Sequence, residues 1–518
     1  MFPRLNRIAL VSALAVTTAS AIAAQPRPSA DSGALVTRGE QLIAANHIDE
    51  AASVAAQALA LQPDSGRAHY LLGLVRERQR SFDAAAAEYR IALTHAPRLA
   101  EARDRLGFVL GIQGHMDEAI AAFERAIAIR PAFFDAHYHL GATLWWTKQV
   151  DRARTSLARA VALRPAHAEA RYYLAVTERQ QGDLAAAIRD LRLAIASAPK
   201  LAPAHTQLGA ALQASGDLDS AIEEFRRALA LDPSLPDAGN SLGLALIERG
   251  DADDAIAALR GVVSRHPDHT EARLNLGTAF MQQGDLASAV GEYRELTRLA
   301  PGNAEAFYDL GLALKQQDDF EEAEAALRTA MRLDAALPEA PYTLGVVLWQ
   351  TGRADEAAAL FQEALERRRE FAEAHYMLGT ILKQRGDLDL ALAEFRETIR
   401  INPASAEAYT SLAQVLQAKH EAGAAAAFAE AERLSRKKAD AQAAIFAVNA
   451  GMDRLKQRDL PGAIAQFREA VRLDAGNARA HLQLALALRR SGALAESRTE
   501  LQAARRLAPN LKSPVPVP

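Results

Sequence analysis

Three features of the sequence carry residue types that chemistry uses. Gly239-Asn240-Ser241-Leu242-Gly243 satisfies the G-x-S-x-G spacing of a nucleophile elbow, a motif that needs a strand before the serine and a helix after it. His266 and His269 flank Pro267 and could chelate a metal, although two histidines alone make a weak ligand set. Further histidines, His69, His137, His205 and His375, stand at multiples of a single 34-residue interval, and His481 falls four residues beyond a further multiple, which spreads them along the chain instead of gathering them into a ligand cluster. Cysteine is absent from all 518 residues, so disulfides, thiol catalysis and thiolate zinc sites are excluded together. No H-E-x-x-H and no phosphate-cradling glycine loop occurs. The sequence therefore offers no catalytic residue, no metal site and no cofactor-binding site.

The interval that spaces the histidines belongs to the whole chain. In a 34-residue unit counted from Ser32, the eighth position is glycine in eleven of fourteen units, among them Gly73, Gly141, Gly209, Gly345 and Gly451. Fourteen random positions in a chain with 29 glycines would hold about one. The twentieth position is alanine in thirteen units, as at Ala119, Ala187 and Ala323, and the thirty-second is proline in ten, as at Pro63, Pro131 and Pro233. Within Ala202–Leu235, apolar residues at three and four spacing (Leu208, Leu212, then Ile222, Phe225, Leu229) predict two amphipathic helices. Gly209 and Ala221 are small because the helices must cross closely there. Gly216-Asp217 predicts the turn, with glycine ending one helix and aspartate capping the next, and Gly182-Asp183, Gly250-Asp251, Gly284-Asp285 and Gly386-Asp387 repeat it. Pro233 stops the second helix, having no amide hydrogen to donate. Gly243 is thereby accounted for by packing, and Ser241 falls inside a helix.

A small residue at eight, alanine at twenty, an aromatic residue or leucine at twenty-four (Tyr89, Phe123, Phe225, Tyr293, Phe361, Phe395, Phe467) and proline at thirty-two strongly resemble the tetratricopeptide repeat family, over residues 32–511. The resemblance implies an all-α fold, a right-handed α-solenoid superhelix of about fourteen helix-turn-helix repeats. It also implies a groove lined by the first helix of each repeat, holding extended peptides, helices or other domains. Departures are local: proline gives way to Ala335, Arg369 and Ala475, and the twelfth unit is read as losing a residue in its turn, Lys419-His420-Glu421. About five extra residues around Ala439–Ala443, beside Arg436-Lys437-Lys438, then mark an irregular junction between repeats 1–12 (32–438) and repeats 13–14 (439–511).

The ends read differently from the repeats. Arg4 and Arg7 precede an uncharged run from Ile8 to Ala24 with a small-x-small pattern at Ala21-Ile22-Ala23, the features of a cleaved signal peptide over residues 1–24. Residues 25–31 form a linker, and a Pro-rich tail spans 512–518. An exported bacterial protein, periplasmic or secreted, with no membrane span after cleavage, is the expectation. The net charge of −4 argues against nucleic acid, whose phosphates require a surplus of Lys and Arg. Either Arg489, Arg490, Arg498 and Arg505 make the last repeat polar enough to cap itself, or a partner covers that end.

In this family the groove is faced by positions two, five, nine, twelve and thirteen. Position five holds Tyr70, Tyr138, Tyr172, Tyr308, Tyr342 and Tyr376, and all three tryptophans fall at twelve or thirteen: Trp145, Trp146 and Trp349. These nine residues form the candidate partner-binding groove. The Lys and Asn pattern of the carboxylate-clamp subfamily is not matched, since Val36 and Glu40 hold positions five and nine of the first unit and Leu71 the sixth of the second. The implied function is a non-catalytic periplasmic scaffold that holds a protein or peptide. The alternative is an exopolysaccharide-secretion scaffold contacting a polysaccharide or an outer-membrane export component, where tyrosine and tryptophan rings would stack on sugars.

Overall fold

The computed structural model describes residues 31–508, which contain helices and no strand. The signal segment, most of the linker and the Pro-rich tail lie outside the described residues. The helices, numbered α1–α27 in chain order, alternate as the first and second members of each repeat. The chain divides into two compact units, one ending at Asp285 and the other beginning at Leu286, inside the turn of the eighth repeat.

The sixth repeat, α11 (Ala202–Ala214) with α12 (Leu218–Leu231), shows how sequence becomes packing. Gly216 adopts the left-handed conformation at φ +83°, which glycine enters without steric cost, and ends the first helix. Asp217 accepts from the Ser220 amide at 3.5 Å and opens the second. Asp183 does the same for Ala186 at 3.1 Å, whereas Asp251 accepts from the Arg249 guanidinium and makes no cap bond. The room left by Gly209 is taken by a ring: a Cβ at Gly209 would stand 2.7 Å from Cε1 of Phe225, which is fully buried along with Ala221. The same fit of position eight to position twenty-four joins Gly73 to Tyr89, Gly345 to Phe361 and Gly451 to Phe467, whereas Gly39 of the first repeat faces Leu71 of the second.

Stacking between repeats follows an equally regular rule. Each first helix packs on the second helix of the repeat before it, through a third-position alanine that is wholly buried from Ala68 to Ala408 and again at Ala480. Ala34, in the first repeat, has no repeat before it and is exposed. Successive first helices also approach one another, as do α5 (Ala100–Ile112), α7 (Phe134–Trp146) and α9 (Ala168–Gln180), while neighbouring second helices make no comparably close approach among the described residues. Within each unit the first helices thus line the inner side of the stack.

The twelfth and thirteenth repeats depart from the expected pattern. A five-residue connection, Lys419–Gly423, follows α23 (Ala406–Ala418), where the other repeats use two or three residues, so the turn is longer than the spacing implied, not shorter. The residues around Ala439–Ala443 are helical: α24 runs unbroken from Ala424 to Lys456 and serves as second helix of repeat 12 and first helix of repeat 13. No proline or glycine stands between Ala424 and Ala450, and the Arg436–Ala443 stretch is built of good helix formers, so nothing stops the helix. At the C-terminal end, α27 (Leu494–Leu507) leaves Arg498 and Arg505 exposed, together with Leu494.

Candidate functional site

In the first unit the structure brings four of the nine groove candidates together around a residue the spacing did not single out. Tyr173, on α9, lies 5.4 Å edge-on from Trp145, 6.1 Å from Tyr138 and 5.2 Å from Tyr172. Trp146 joins through Trp145, at 6.5 Å. The adjacent tyrosines Tyr172-Tyr173 were the available signal, since whichever of two neighbours faces the groove, the other turns toward the next helix.

Burial separates the roles. Tyr138 is 3% exposed, rests on Phe134 and His167, and donates its hydroxyl to Glu169 at 3.0 Å, so it is a member of the core. Burial, reinforced by the Glu169 carboxylate, holds its phenol far above the ordinary range. Tyr172 is half-buried, and burial pushes its phenol up to about 12. Trp145 is half-buried against the same core, and its indole N–H finds no hydrogen-bond partner among the described residues. Trp146 is 51% exposed. Ile112 and Leu244, at positions thirteen and nine, are also exposed on first helices; selecting only aromatic residues passed over them. Tyr70 stands apart, half-buried with its ring 5.9 Å from Tyr89.

The second unit presents a looser set. Tyr308, on α17 (Ala304–Gln316), and Tyr342, on α19 (Glu339–Gln350), are half-buried and raised by burial; Thr343 bonds to the Tyr308 hydroxyl and pulls that phenol back. Tyr342 leans on Phe371 at 4.7 Å and Phe361 at 5.8 Å. Tyr376, on α21 (Ala372–Arg385), lies 5.9 Å from Phe395. Trp349 is half-buried near the end of α19.

The remaining chemical candidates take structural places. Ser241 lies in the interior of α13 (Pro236–Arg249), and a Cβ on Gly243 would collide with Leu259, so the run is a helix-packing face and not a strand-to-helix elbow. His269 accepts from the Ala272 amide at 3.1 Å and caps α15 (Thr270–Gln283). No group of three His, Asp or Glu able to hold a metal occurs among the described residues.

Four of the five histidines of this series form clasps, while His137 meets the Pro131 carbonyl at 3.0 Å. Nδ1 of His69, His205, His375 and His481 meets Glu88, Glu224, Glu394 and Glu500 at 2.7, 2.7, 2.5 and 2.5 Å, tying first helix to second. Nε2 meets the carbonyls of Pro63, Pro199, Arg369 and Ala475 at 3.0, 3.2, 3.0 and 3.1 Å, tying each repeat to the end of the one before. A carbonyl and an ionised carboxylate can only accept, so satisfying both ring nitrogens requires one proton more than a neutral imidazole and a carboxylate carry.

Family profiles match the same repeats. Tetratricopeptide repeat profiles match residues 36–103, 240–304, 308–374, 342–406, 376–444 and 448–511, with two further profiles of the same repeat at 112–177 and 213–250. No curated protein matches the chain. Among solved structures, MamA is 28% identical over 32% of this chain and 97% of its own, with a TM-score of 0.30. YrrB, described as a TPR protein with an unusual peptide-binding site, is 22% identical over 35% of this chain and 92% of its own, with a TM-score of 0.32. The APC/C hetero-tetramer Cut9–Hcn1 covers 93% of this chain and 94% of its own at 14% identity and a TM-score of 0.34. Profile matches over more than half its length, on repeats whose glycine, alanine and aromatic positions do the packing, establish that the chain belongs to the tetratricopeptide repeat family.

Proposed function

We propose that this protein is a non-catalytic periplasmic scaffold that holds a partner protein or peptide on the first-helix face of its repeats. The observation that carries this reading is Trp146: a tryptophan 51% exposed on the inner side of the stack, backed by Trp145, which packs edge-on against Tyr173. Exposed aromatic side chains seated on a rigid, half-buried base are the usual anchors of protein interfaces. Export is supported by Arg4 and Arg7 ahead of the uncharged run Ile8–Ala24, and no helix among the described residues is long and apolar enough to cross a membrane.

Two measurements test the two halves of the proposal. Mass spectrometry of envelope material should find a chain beginning at Ala24 or Gln25; an intact Met1 in the cytosolic fraction would contradict export. Affinity purification from envelope extract with wild-type and Trp146→Ala chains should recover a protein that the variant loses. Equal recovery by both would remove Trp146 from the interface.

A further inference from the structure

One of the histidine clasps is incomplete, and a cavity opens where its missing half would lie. His137, at the fourth position of repeat 4, keeps the bond from Nε2 to the Pro131 carbonyl at 3.0 Å, but its Nδ1 meets no partner among the described residues. In the four complete clasps that nitrogen meets a glutamate from the twenty-third position, Glu88, Glu224, Glu394 or Glu500. The twenty-third position of repeat 4 is Ser156. A cavity of about 610 Å³ lies there, between α7, α6 (Met116–Ile129) and α8 (Val150–Leu163), lined by His137, Ser156, Arg159 and Glu124 together with the apolar Ile127 and Leu140.

Repeat 6 shows what belongs in that place. There one oxygen of Glu224 meets His205 Nδ1 at 2.7 Å, and the other accepts from the Arg227 guanidinium, which stands at the twenty-sixth position. Repeat 4 keeps both nitrogen partners, His137 at four and Arg159 at twenty-six, and lacks only the carboxylate. Arg159 is exposed and, like Ser156, forms no side-chain hydrogen bond or ion pair among the described residues. Glu124, the one carboxylate lining the cavity, is engaged by Arg152 at 2.6 Å instead.

We propose that this cavity receives the carboxylate of a glutamate side chain presented by a partner polypeptide, its oxygens accepting from His137 Nδ1 and the Arg159 guanidinium. Ile127 and Leu140 suit the methylene stem of such a side chain, and the Ser156 hydroxyl offers a further donor. Nε2 gives its proton to the Pro131 carbonyl, which can only accept, so Nδ1 donates when the ring is an imidazolium. The charged groups around it are Arg159 and the Arg152–Glu124 pair, so the incoming carboxylate is what balances that cation. The site is built on the second helices α6 and α8 as well as α7, so it stands independently of what occupies the first-helix face.

The test is a magnetic-resonance titration of the histidine-labelled full chain at about pH 6, where imidazolium is accessible, with the His137 ring signal assigned by its loss in His137→Gln. The probes are N-acetyl-glutamate methylamide, its glutamine analogue and acetate. The glutamate probe should shift the His137 signal saturably and bind about fourfold more tightly than acetate, the gain of one buried methylene. The glutamine probe should leave the signal where it is. Arg159→Ala, a substitution at an exposed position, should weaken the glutamate probe about threefold or more. Ser156→Glu should complete the clasp from within, moving the His137 signal to join those of the four clasped histidines and abolishing the response to the probe. No saturable shift at His137, an equal response to the glutamine probe, or undiminished binding by Arg159→Ala or by folded Ser156→Glu overturns the proposal. Equal affinity for acetate overturns the polypeptide as the source of the carboxylate.

Discussion

The Phe361 ring fills the space that a side chain on Gly345 would need: a Cβ there would lie 2.7 Å from Cε1 and 3.1 Å from Cζ of the ring, itself fully buried. Gly345→Ala should therefore destabilise the second unit by about 1–3 kcal/mol through overpacking. Gly291, helical and with nothing but its own stretch of helix within 4 Å of its would-be Cβ, should respond with the opposite sign, Gly291→Ala stabilising by about 0.5–1 kcal/mol. Urea titrations of the two variants check both.

The clasp at His375 makes stability depend on pH. Burial alone would push this imidazole down, but its hydrogen bonds to Glu394 and to the Arg369 carbonyl outweigh burial and hold it above the ordinary value of 6.5. A raised folded-state pKa means that the contribution is fully present below 6.5 and is lost as pH climbs through the raised value. The melting temperature of the wild type should fall over that window more steeply than that of His375→Gln. Parallel curves would show that the clasp binds no extra proton.

Asp309, at the sixth position of repeat 9, is raised by burial and by Glu305 to about 7. Its ionisation in the folded state is resisted, so stability falls as pH rises from the ordinary value of 3.8 to about 7 and stays reduced above it. Asp309→Asn should raise the melting temperature at pH 8 and change it little at pH 4.

The two adjacent tryptophans should separate in their effects. Trp146→Ala removes an exposed ring and should change stability by less than about 0.5 kcal/mol. Trp145→Ala removes a ring packed between the core and Tyr173 and should cost about 2–3 kcal/mol. Chemical denaturation of the single variants distinguishes a contact surface from packing at each position.

The repeat, its turns and its packing positions were legible because each rests on a local steric requirement that recurs: Gly216 must reach positive φ, Gly209 must leave room for Phe225, Ala221 must let helices approach. The candidate site was legible only as a set of positions. Tyr138 and Tyr172 share the fifth position, yet one is core and the other half-exposed, because the difference lies in Phe134, His167 and Tyr173 on neighbouring elements. At the twelfth repeat the spacing implied a turn shortened by one residue at Lys419-His420-Glu421. The longer connection Lys419–Gly423 instead advances the helix by a turn's fraction, seats Ala427 and Ala431 in the core and turns Phe428 outward. Periodicity located the irregularity, but the uninterrupted helix formers from Ala424 to Ala450 were the feature that foretold its conformation.

The central claim, that a partner sits on the first-helix face, is tested most directly by placing a photoreactive amino acid at single positions and irradiating cells. Replacement at Trp146 and at Ile112, on the inner side of the first unit, should yield a covalent adduct with the same protein. Replacement at Arg192, exposed on a second helix, should not. Adducts at Arg192 with none at Trp146 or Ile112 would contradict the account.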